Sequence, residues 1–277
     1  MAEDKKILEQ RLIEYKSGRK REVIRYVIIS FLSVAVFLLV WQCLVQFKLV
    51  NVRNLPSPLA VLDTLVYKIN SKNPDGNTLI TNIAASLQIA LGGFALATVI
   101  GVPLGLLMGW FMPIDMFVRP IFELFRPVPP IAWIPVIVVF FGVGLQAKAM
   151  IIFLSVFVPC VINSYTGIKL TNKTLINVAK TFGASSFETF IKVGVPSAMP
   201  LVFTGLRAAL SGAWSTLVAA EMLAAKAGLG NMLQIGRNLG RSDIVVCGMA
   251  VISVLGAFMG ILLNWLEGKI LIWKIGA

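Results

Sequence analysis

Histidine, the commonest general base and metal ligand, is absent from this 277-residue chain. The three cysteines, Cys43, Cys160 and Cys247, lie far apart in apolar stretches, and no pair has metal-ligand spacing. We interpret them as buried small hydrophobic residues. The chain also has no Gly-x-x-x-x-Gly-Lys-Ser/Thr motif that could bind the phosphates of a nucleotide. These residues predict a chain without an enzymatic site, a metal or a bound cofactor, although catalysis by a lysine stays formally open.

Two ionisable residues lie within or at the end of one long apolar segment, Arg207 inside it and Glu221 at its end. A charge in a membrane span usually faces the bundle interior or a cavity, so Arg207 is a candidate for attracting an anion on a translocation path. The alternative is that Arg207 pairs with a lipid headgroup or a backbone carbonyl. Glu221 is a candidate structural or gating partner, and Pro129, Pro130 and Trp133 are weaker candidates for lining the path.

The composition defines the class of protein that must position these residues. Hydrophobic residues make up 57% of the chain, charged residues 14%, and the mean hydropathy is +0.85. A soluble fold of this size could not remove so much apolar surface from water. The net charge of +12 does not indicate a nucleic-acid partner, because beyond the N-terminal segment the basic residues punctuate apolar stretches as loops between spans do. We therefore predict an all-α integral membrane protein.

Six apolar segments are long enough to cross a bilayer. The predicted spans cover residues 26–47, 83–110, 126–143, 149–168, 199–221 and 244–266. The second contains Gly101, Gly105 and Gly109 at the spacing that allows close helix contact. The third contains four prolines, so it cannot be a continuous helix facing lipid and must pack on protein or line a cavity.

The basic residues predict that both termini are cytoplasmic. In that orientation, sixteen lysines and arginines lie in inner segments and eight in outer segments. Residues 1–25 form a basic leader, in which Leu8, Leu12 and Tyr15 share one helical face. We expect this leader to be an amphipathic helix on the inner membrane surface, where it contacts lipid, ahead of a single transmembrane domain over 26–277. A docking role for the leader and a cleaved signal peptide are weaker alternatives.

The loop at about 171–198 predicts two short helices joined by a glycine. Leu175, Ala179 and Phe182 repeat at helical spacing, and Gly183 follows at the position where helices often end. Ser185 and Glu188 form a capping-box pattern for the second helix, which carries Phe187 and which we expect Pro196 and Pro200 to end. From the residues alone, the apolar ridge fits equally well a partner's groove or the chain's own bundle.

Within this loop, Asn177-Val-Ala-Lys-Thr-Phe-Gly183, nine residues beginning with Ala184, and Val193-Gly-Val-Pro196 resemble the cytoplasmic-loop signature of ABC-importer permeases. That signature reads Glu-Ala-Ala, three residues, Gly, nine residues, Ile-x-Leu-Pro. The chain departs at its opening, where Asn177 replaces Glu and Val178 replaces the first Ala. Other runs look like the branch that imports nitrate, sulfonates, taurine and bicarbonate: Leu55-Pro-Ser-Pro58, Arg126-Pro-Val-Pro-Pro130, Gly205-Leu-Arg-Ala-Ala-Leu210, Val218-Ala-Ala-Glu-Met-Leu223 and Gly228-Leu-Gly230.

The resemblance implies a type I importer permease in a bacterial inner membrane. Such a permease pairs with a second copy of itself or a close relative, contacts two ATPase subunits that hold ATP and Mg²⁺, and receives substrate from an extracytoplasmic binding protein. A small anion is the implied substrate, although a pyrimidine precursor or an aromatic acid also fits the wider family. The residues that the resemblance assigns to ATPase coupling are Asn177, Ala179, Phe182, Gly183, Ala184, Phe187 and Pro196.

Two other function classes stay open at this point. A secondary transporter would need no ATPase, and the proline-rich third span is compatible with the broken helices of such proteins. However, the sequence shows no matching proline-rich partner and few carboxylates at mid-membrane positions. A membrane scaffold without transport is the second alternative.

Overall fold

The computed structural model describes residues 2–51, 55–224 and 226–272, with side chains over 22, 24–51, 55–222 and 226–272. These ranges are all-helical. The helices are α1 (Ala2–Gln46), α2 (Pro58–Asn70), α3 (Leu79–Trp110), α4 (Met112–Phe125), α5 (Ile134–Phe141), α6 (Leu145–Lys169), α7 (Lys173–Thr181), α8 (Ser186–Thr189), α9 (Val195–Ala224), α10 (Leu229–Asn238) and α11 (Ser242–Ile270). A 3₁₀ turn over Pro130–Trp133 precedes α5, and a π-helical turn over Phe190–Gly194 precedes α9.

Within the described ranges, five helical segments are long and apolar enough to cross a membrane: Ile24–Gln46, Leu79–Trp110, Leu145–Lys169, Ser186–Met222 and Ser242–Ile270. A sixth crossing is formed only if α4 and the segment Pro130–Phe141 count as one span, and these two are bent by 84° relative to each other. The predicted third span, residues 126–143, covers only the bend and the segment Pro130–Phe141, and its four prolines lie at the bend and in the first turns of that segment. Helix α4 lies entirely before the predicted boundary at residue 126, so this boundary was wrong.

The chain divides into two compact units, Met1–Asp63 and Thr64–Ala277. In the first unit, α1 continues without a break from the predicted leader into the first predicted span. The predicted apolar stripe of the leader lies outside the described side chains. Cys43 on α1 is exposed, so its interpretation as a buried residue was wrong, whereas Cys160 and Cys247 in the second unit are buried. The physical reason is that α1 presents its apolar side chains outward.

The second unit is built around α3, α6 and α9, whose facing side chains form the main apolar core. Close approach of α3 to α6 depends on the predicted glycines: a Cβ on Gly105 would lie 2.4 Å from the Val161 carbonyl oxygen, and one on Gly109 would lie 2.7 Å from the Ile168 Cβ. Gly92, in contrast, has open space around it. Gly101, Gly105 and Gly109 therefore pack as their spacing predicted. The close contact brings the two backbones within the range of dispersion attraction.

Three helices lie in segments that the sequence analysis left without an element, namely α2, α4 and α10. They are short and amphipathic, so they lack the long apolar run by which a span is detected. A second apolar cluster joins α3, α10 and α11 through Leu79, Met232, Ile244 and Val251.

Candidate functional site

The predicted glycine turn of the loop is present. Asn172 caps the start of α7, its side-chain oxygen accepting from the Thr174 N–H at 2.8 Å. The helix ends in a Schellman motif, in which the Ala184 N–H donates to the Ala179 carbonyl and the Gly183 N–H to the Lys180 carbonyl. Gly183 has a φ of +82°, a conformation that a residue with a Cβ adopts at a cost. The turn therefore depends on glycine at this position.

The second helix of the loop starts with the predicted capping box. The Glu188 N–H donates to the Ser185 hydroxyl at 3.2 Å, and the Ser185 N–H donates to the Glu188 carboxylate at 2.9 Å. These two bonds satisfy donors that the first turn of a helix leaves unpaired. Local hydrogen bonds thus fix the path of the chain between α7 and α8.

Aromatic contacts anchor the base of the loop to the end of α3. Phe190 is only 5% exposed, and its ring lies 5.6 Å from Trp110 and 5.5 Å from Phe111, measured between centroids. The Trp110 ring fits here because Gly194 has no side chain: a Cβ there would lie 2.8 Å from the ring. Trp110 also donates to the Ser186 hydroxyl at 3.3 Å. The loop is therefore held against the bundle at its base.

The tip of the loop is uncovered. Phe182 is 87% exposed and Phe187 is 62% exposed, and Leu175 and Val178 on α7 are also exposed. Asn177 is exposed on the same helix, whereas Ala179 and Ala184 are half-buried. The apolar residues of the loop thus fall into two groups. Phe190 at the base packs on this chain, whereas Phe182 and Phe187 at the tip face outward.

The loop passes directly into α9, and the expectation that Pro196 and Pro200 end its second helix was wrong. Ser186–Met222 is one apolar helical segment that includes α8, the π-helical turn and α9. The Val195 N–H donates to the Phe190 carbonyl across the wider π turn, so Pro196 stands in the first turn of α9, where its missing N–H costs little. Pro200 lies inside the helix. Neither proline interrupts the connection from loop to span.

Arg207 lies on α9 and lines an open groove of about 650 Å³ between α9 and α11. The two helices line it antiparallel, with Arg207 and Asn264 at one end and Val218 and Ile252 at the other. Polar residues follow both walls. The lining comprises Arg207, Leu210, Ser211, Trp214, Ser215, Val218, Ile252, Ser253, Gly256, Ala257, Gly260 and Asn264.

The guanidinium of Arg207 is held by a carboxylate of the facing helix. It forms an ion pair with Glu267, and it donates to Asn264 at 3.4 Å and to Thr204 at 3.2 Å. The Arg207 side chain is still 36% exposed. Arg207 therefore has side-chain partners within the chain, and none of these hydrogen bonds is to a backbone carbonyl.

Pro129, Pro130 and Trp133 line a different cavity, of about 510 Å³, beside the bend between α4 and α5. Its walls are largely aromatic and aliphatic, with Phe122, Phe153 and Phe157 among them. Arg126 stands on its lining. The structure thus does not bring these three residues together with Arg207 in one cavity.

Glu221 is completely buried and lines neither cavity. Its carboxylate accepts from the Ser86 hydroxyl at 2.7 and 2.9 Å and from the Gly230 N–H at 2.8 Å. Ser86 in turn accepts from the Leu229 N–H at 2.9 Å. This arrangement ties the turn between α9 and α10 to α3.

A buried ion pair adjoins the Glu221 cluster. Lys68 and Asp75 form this pair, and Asp75 also accepts from the Asn82 side chain at 2.6 Å. The side-chain amide oxygen of Asn82 accepts from the Gly228 N–H at 3.0 Å. The four side chains Lys68, Asp75, Asn82 and Glu221 therefore fasten two loops at the same end of α3.

Several residues of these sites were missed by the sequence analysis. Glu267 stands near the end of a span, where a carboxylate resembles an ordinary interfacial residue. The serines were detectable, because Arg207, Ser211 and Ser215 repeat every four residues and so share one face of an apolar helix. No sequence pattern identified the hydrogen-bond partners of Glu221, because they come from distant parts of the chain.

Residues 101–272 match the family described as "Binding-protein-dependent transport system inner membrane component". The chain belongs to this family. It is 36% identical to the taurine transport system permease protein TauC of Escherichia coli (strain K12), over 90% of each chain. It is 28% identical to the nitrate import permease protein NrtB of Leptolyngbya laminosa, over 90% of this chain and 89% of the relative.

The fold has a solved counterpart in an inward-facing structure of the MetNI methionine ABC transporter. The TM-score is 0.54 at 22% identity, and the match covers 70% of this chain and 94% of the other. The chain is therefore a permease subunit of an ABC importer, with the type I fold, and a multi-pass inner-membrane component. This assignment decides against the secondary transporter and the scaffold.

Proposed function

We propose that this chain imports a small oxyanion, such as a sulfonate, taurine, nitrate or bicarbonate. The support is twofold. The relatives TauC and NrtB are named for taurine and nitrate. The groove between α9 and α11 carries an arginine and several hydroxyl groups, which suit an anion with oxygen acceptors. The largely apolar cavity beside Trp133 suits such a substrate less well.

Coupling to ATP hydrolysis takes place through the loop at 171–198. The observation that carries this proposal is the outward-facing apolar tip, where Phe182 is 87% exposed although its flanking turns are fixed by a Schellman motif and a capping box. An ordered apolar tip is suited to insertion into a groove on a partner. The partners are two cytoplasmic ATPase subunits that hold ATP and Mg²⁺, while this chain itself binds no nucleotide.

The continuity of the loop with α9 gives the coupling a mechanical path. ATP closes the ATPase pair, and the tip held by each ATPase moves with it. Because α8, the π turn and α9 form one segment and Phe190 is anchored on Trp110, the displacement passes to α9 and α3 together. The cavity then opens outward, and release of ADP restores the inward-facing state.

The remaining assembly follows from the same proposal. Two copies of this chain form the translocation path, and an extracytoplasmic binding protein delivers the substrate. Both termini are cytoplasmic, which requires six crossings and therefore counts the bent pair of α4 and α5 as one of them. The loop at 171–198 is then on the cytoplasmic side, where the ATPases are.

The test is uptake into proteoliposomes that contain the chain, its ATPase and its binding protein. Radiolabelled taurine, nitrate and bicarbonate are added in parallel. One set of vesicles contains ATP in the lumen, on the side where the ATPase lies, and a second set has an ion gradient and no ATP. We expect accumulation of one of these anions only with ATP. If none of them accumulates and ATP drives uptake of an aromatic acid or a pyrimidine precursor, the proposal that the substrate is a small oxyanion is contradicted.

A further inference from the structure

The groove between α9 and α11 has polar side chains along both of its walls. Arg207, Ser211 and Ser215 recur at every fourth residue of α9, and Ser253 and Asn264 stand on the facing wall of α11. Ser211 and Ser215 are exposed although they lie inside a segment apolar enough to span a membrane. Polar groups at such a depth are retained where they face water or a polar ligand.

The charge of the groove favours an anion. Among the described residues that line it, Arg207 is the one that carries a charge. Glu267 forms the ion pair with Arg207 but is not part of the lining and is largely buried, at 13% exposure. A ligand in the groove can therefore contact the Arg207 guanidinium directly, whereas the Glu267 carboxylate lies behind the guanidinium.

The guanidinium is positioned to exchange partners. It presents five N–H donors in a fixed planar fork, and an oxyanion can accept two of them at once. The bonds to Thr204 and Asn264 are long, at 3.2 and 3.4 Å, and join neutral acceptors that an anion can replace at small cost.

The hydroxyl groups of Ser215 and Ser253 extend the polar lining of the groove beyond Arg207. Ser215 donates to the Ser211 carbonyl and Ser253 to the Met249 carbonyl, each at 2.9 Å. These are local bonds one turn back along each helix, and a hydroxyl can rotate from such an acceptor to a ligand.

We propose that this groove is an oxyanion-binding site on the translocation path, with Arg207 as the anion ligand and Glu267 as the counter-charge that holds the guanidinium in place. In the empty groove, Glu267 neutralises Arg207. When a sulfonate or nitrate enters, it takes the places of Thr204 and Asn264 on the guanidinium, and the Ser211 hydroxyl, one turn further along α9, donates to one of its remaining oxygens. Arg207 lies twelve residues beyond Val195, about 18 Å along the helix, so one continuous helix joins the site to the loop at 171–198.

This inference rests on the proposed import of an oxyanion, but its test requires neither ATPase nor substrate identity. Ser215→Cys is introduced into the full-length Cys43→Ala chain in lipid nanodiscs, where the two remaining cysteines are buried. The rate of cysteine modification is measured with a small sulfonate reagent, 2-sulfonatoethyl methanethiosulfonate, and with the cationic 2-(trimethylammonium)ethyl analogue. Thr174→Cys on the exposed face of α7 is the matched control.

We expect the sulfonate reagent to react faster than the cationic one at Ser215→Cys. Arg207→Gln should reduce this ratio on the order of tenfold, because the field of one cation in a confined groove is removed. Glu267→Gln should raise the ratio, since it frees Arg207 from its counter-charge. The ratio at Thr174→Cys should stay the same in all three backgrounds.

Nitrate added in excess should protect Ser215→Cys from the sulfonate reagent but not from the cationic one, because bound nitrate neutralises Arg207 and lies about 12 Å from residue 215. Arg207→Lys keeps the charge and the ion pair but loses the planar fork, so it should preserve the reagent ratio while weakening the protection by nitrate. This variant keeps the proposal testable if Arg207→Gln fails to fold.

A reagent ratio that Arg207→Gln leaves unchanged, or an absence of nitrate protection, would overturn the site and leave Arg207 as a structural partner of Glu267. If the groove passes this test but ATP drives no oxyanion uptake, the proposed function fails and the site stands.

Discussion

Gly183 is the residue on which the shape of the coupling loop depends most directly. Its φ is +82°, and a Cβ at this position would meet no atom within 4 Å. A substitution therefore acts through backbone conformation alone. Gly183→Val should strain the turn by about 1–3 kcal/mol and reduce both ATP-driven uptake and stimulation of the ATPase.

Gly240 is the matched control, because it ends α10 in the same kind of turn. Its φ is +67°, its Cβ would also meet open space, and the Arg241 and Gly236 backbones form the equivalent hydrogen bond. Gly240→Val should cost similar stability but leave ATPase stimulation in place. Equal uptake and stimulation in Gly183→Val and the unmodified chain would contradict the role of the turn.

Glu221 is a structural residue in this account, whereas the sequence analysis left open a structural or a gating role for it. Glu221→Ala would leave the Gly230 N–H and the Ser86 hydroxyl without their acceptor in a buried place. Each unpaired group costs about 1–3 kcal/mol, so the melting temperature of the purified chain should fall clearly.

The control for Glu221 is Glu123→Ala, since Glu123 is half-exposed and forms an ion pair with Arg126 one turn away. We expect an effect within about 0.5 kcal/mol there. A Glu221→Ala chain that melts like the unmodified chain but transports slowly would place Glu221 on the path after all.

At the scale of elements, the contact between α3 and α6 decides how the bundle packs. Gly105→Ala would push a Cβ to 2.4 Å from the Val161 carbonyl oxygen, whereas Gly92→Ala on the same helix meets open space. Overpacking costs about 1–3 kcal/mol, so Gly105→Ala should lower the melting temperature in detergent. Gly92→Ala should leave it unchanged or slightly higher, because alanine favours the helix. Similar melting temperatures for the two variants would show that α3 and α6 can move apart.

The elements also show what the sequence could predict. The turn at Gly183 and the capping box at Ser185 were predictable because each depends on residues within a few positions of one another. The continuation of α8 into α9 was not predictable, because prolines normally end a helix. No local sequence pattern indicates the π turn that accommodates Pro196. The short amphipathic helices α2, α4 and α10 were not predicted, because a search for long apolar runs does not detect them.

At the scale of the whole molecule, composition predicted an all-helical membrane protein, and the apolar runs predicted most of its spans. What the sequence could not give is which charged residues meet. Arg207 and Glu267 are sixty positions apart, and their pairing arises only because α9 and α11 run antiparallel along one groove. The separation of this groove from the cavity at Pro129, Pro130 and Trp133 likewise follows from packing and not from any pattern in the chain.

The central claim concerns the whole assembly: the exposed tip of the loop holds this chain to an ATPase. It is tested most directly by purifying the tagged chain from its native membrane in mild detergent and identifying its companions by mass. We predict an ATPase with a phosphate-binding loop in about equal amount. Phe182→Ser should lose this companion, while Leu239→Ser, which changes an exposed apolar residue between α10 and α11, should retain it. Recovery of the unmodified chain alone, stable and monodisperse, would contradict the account.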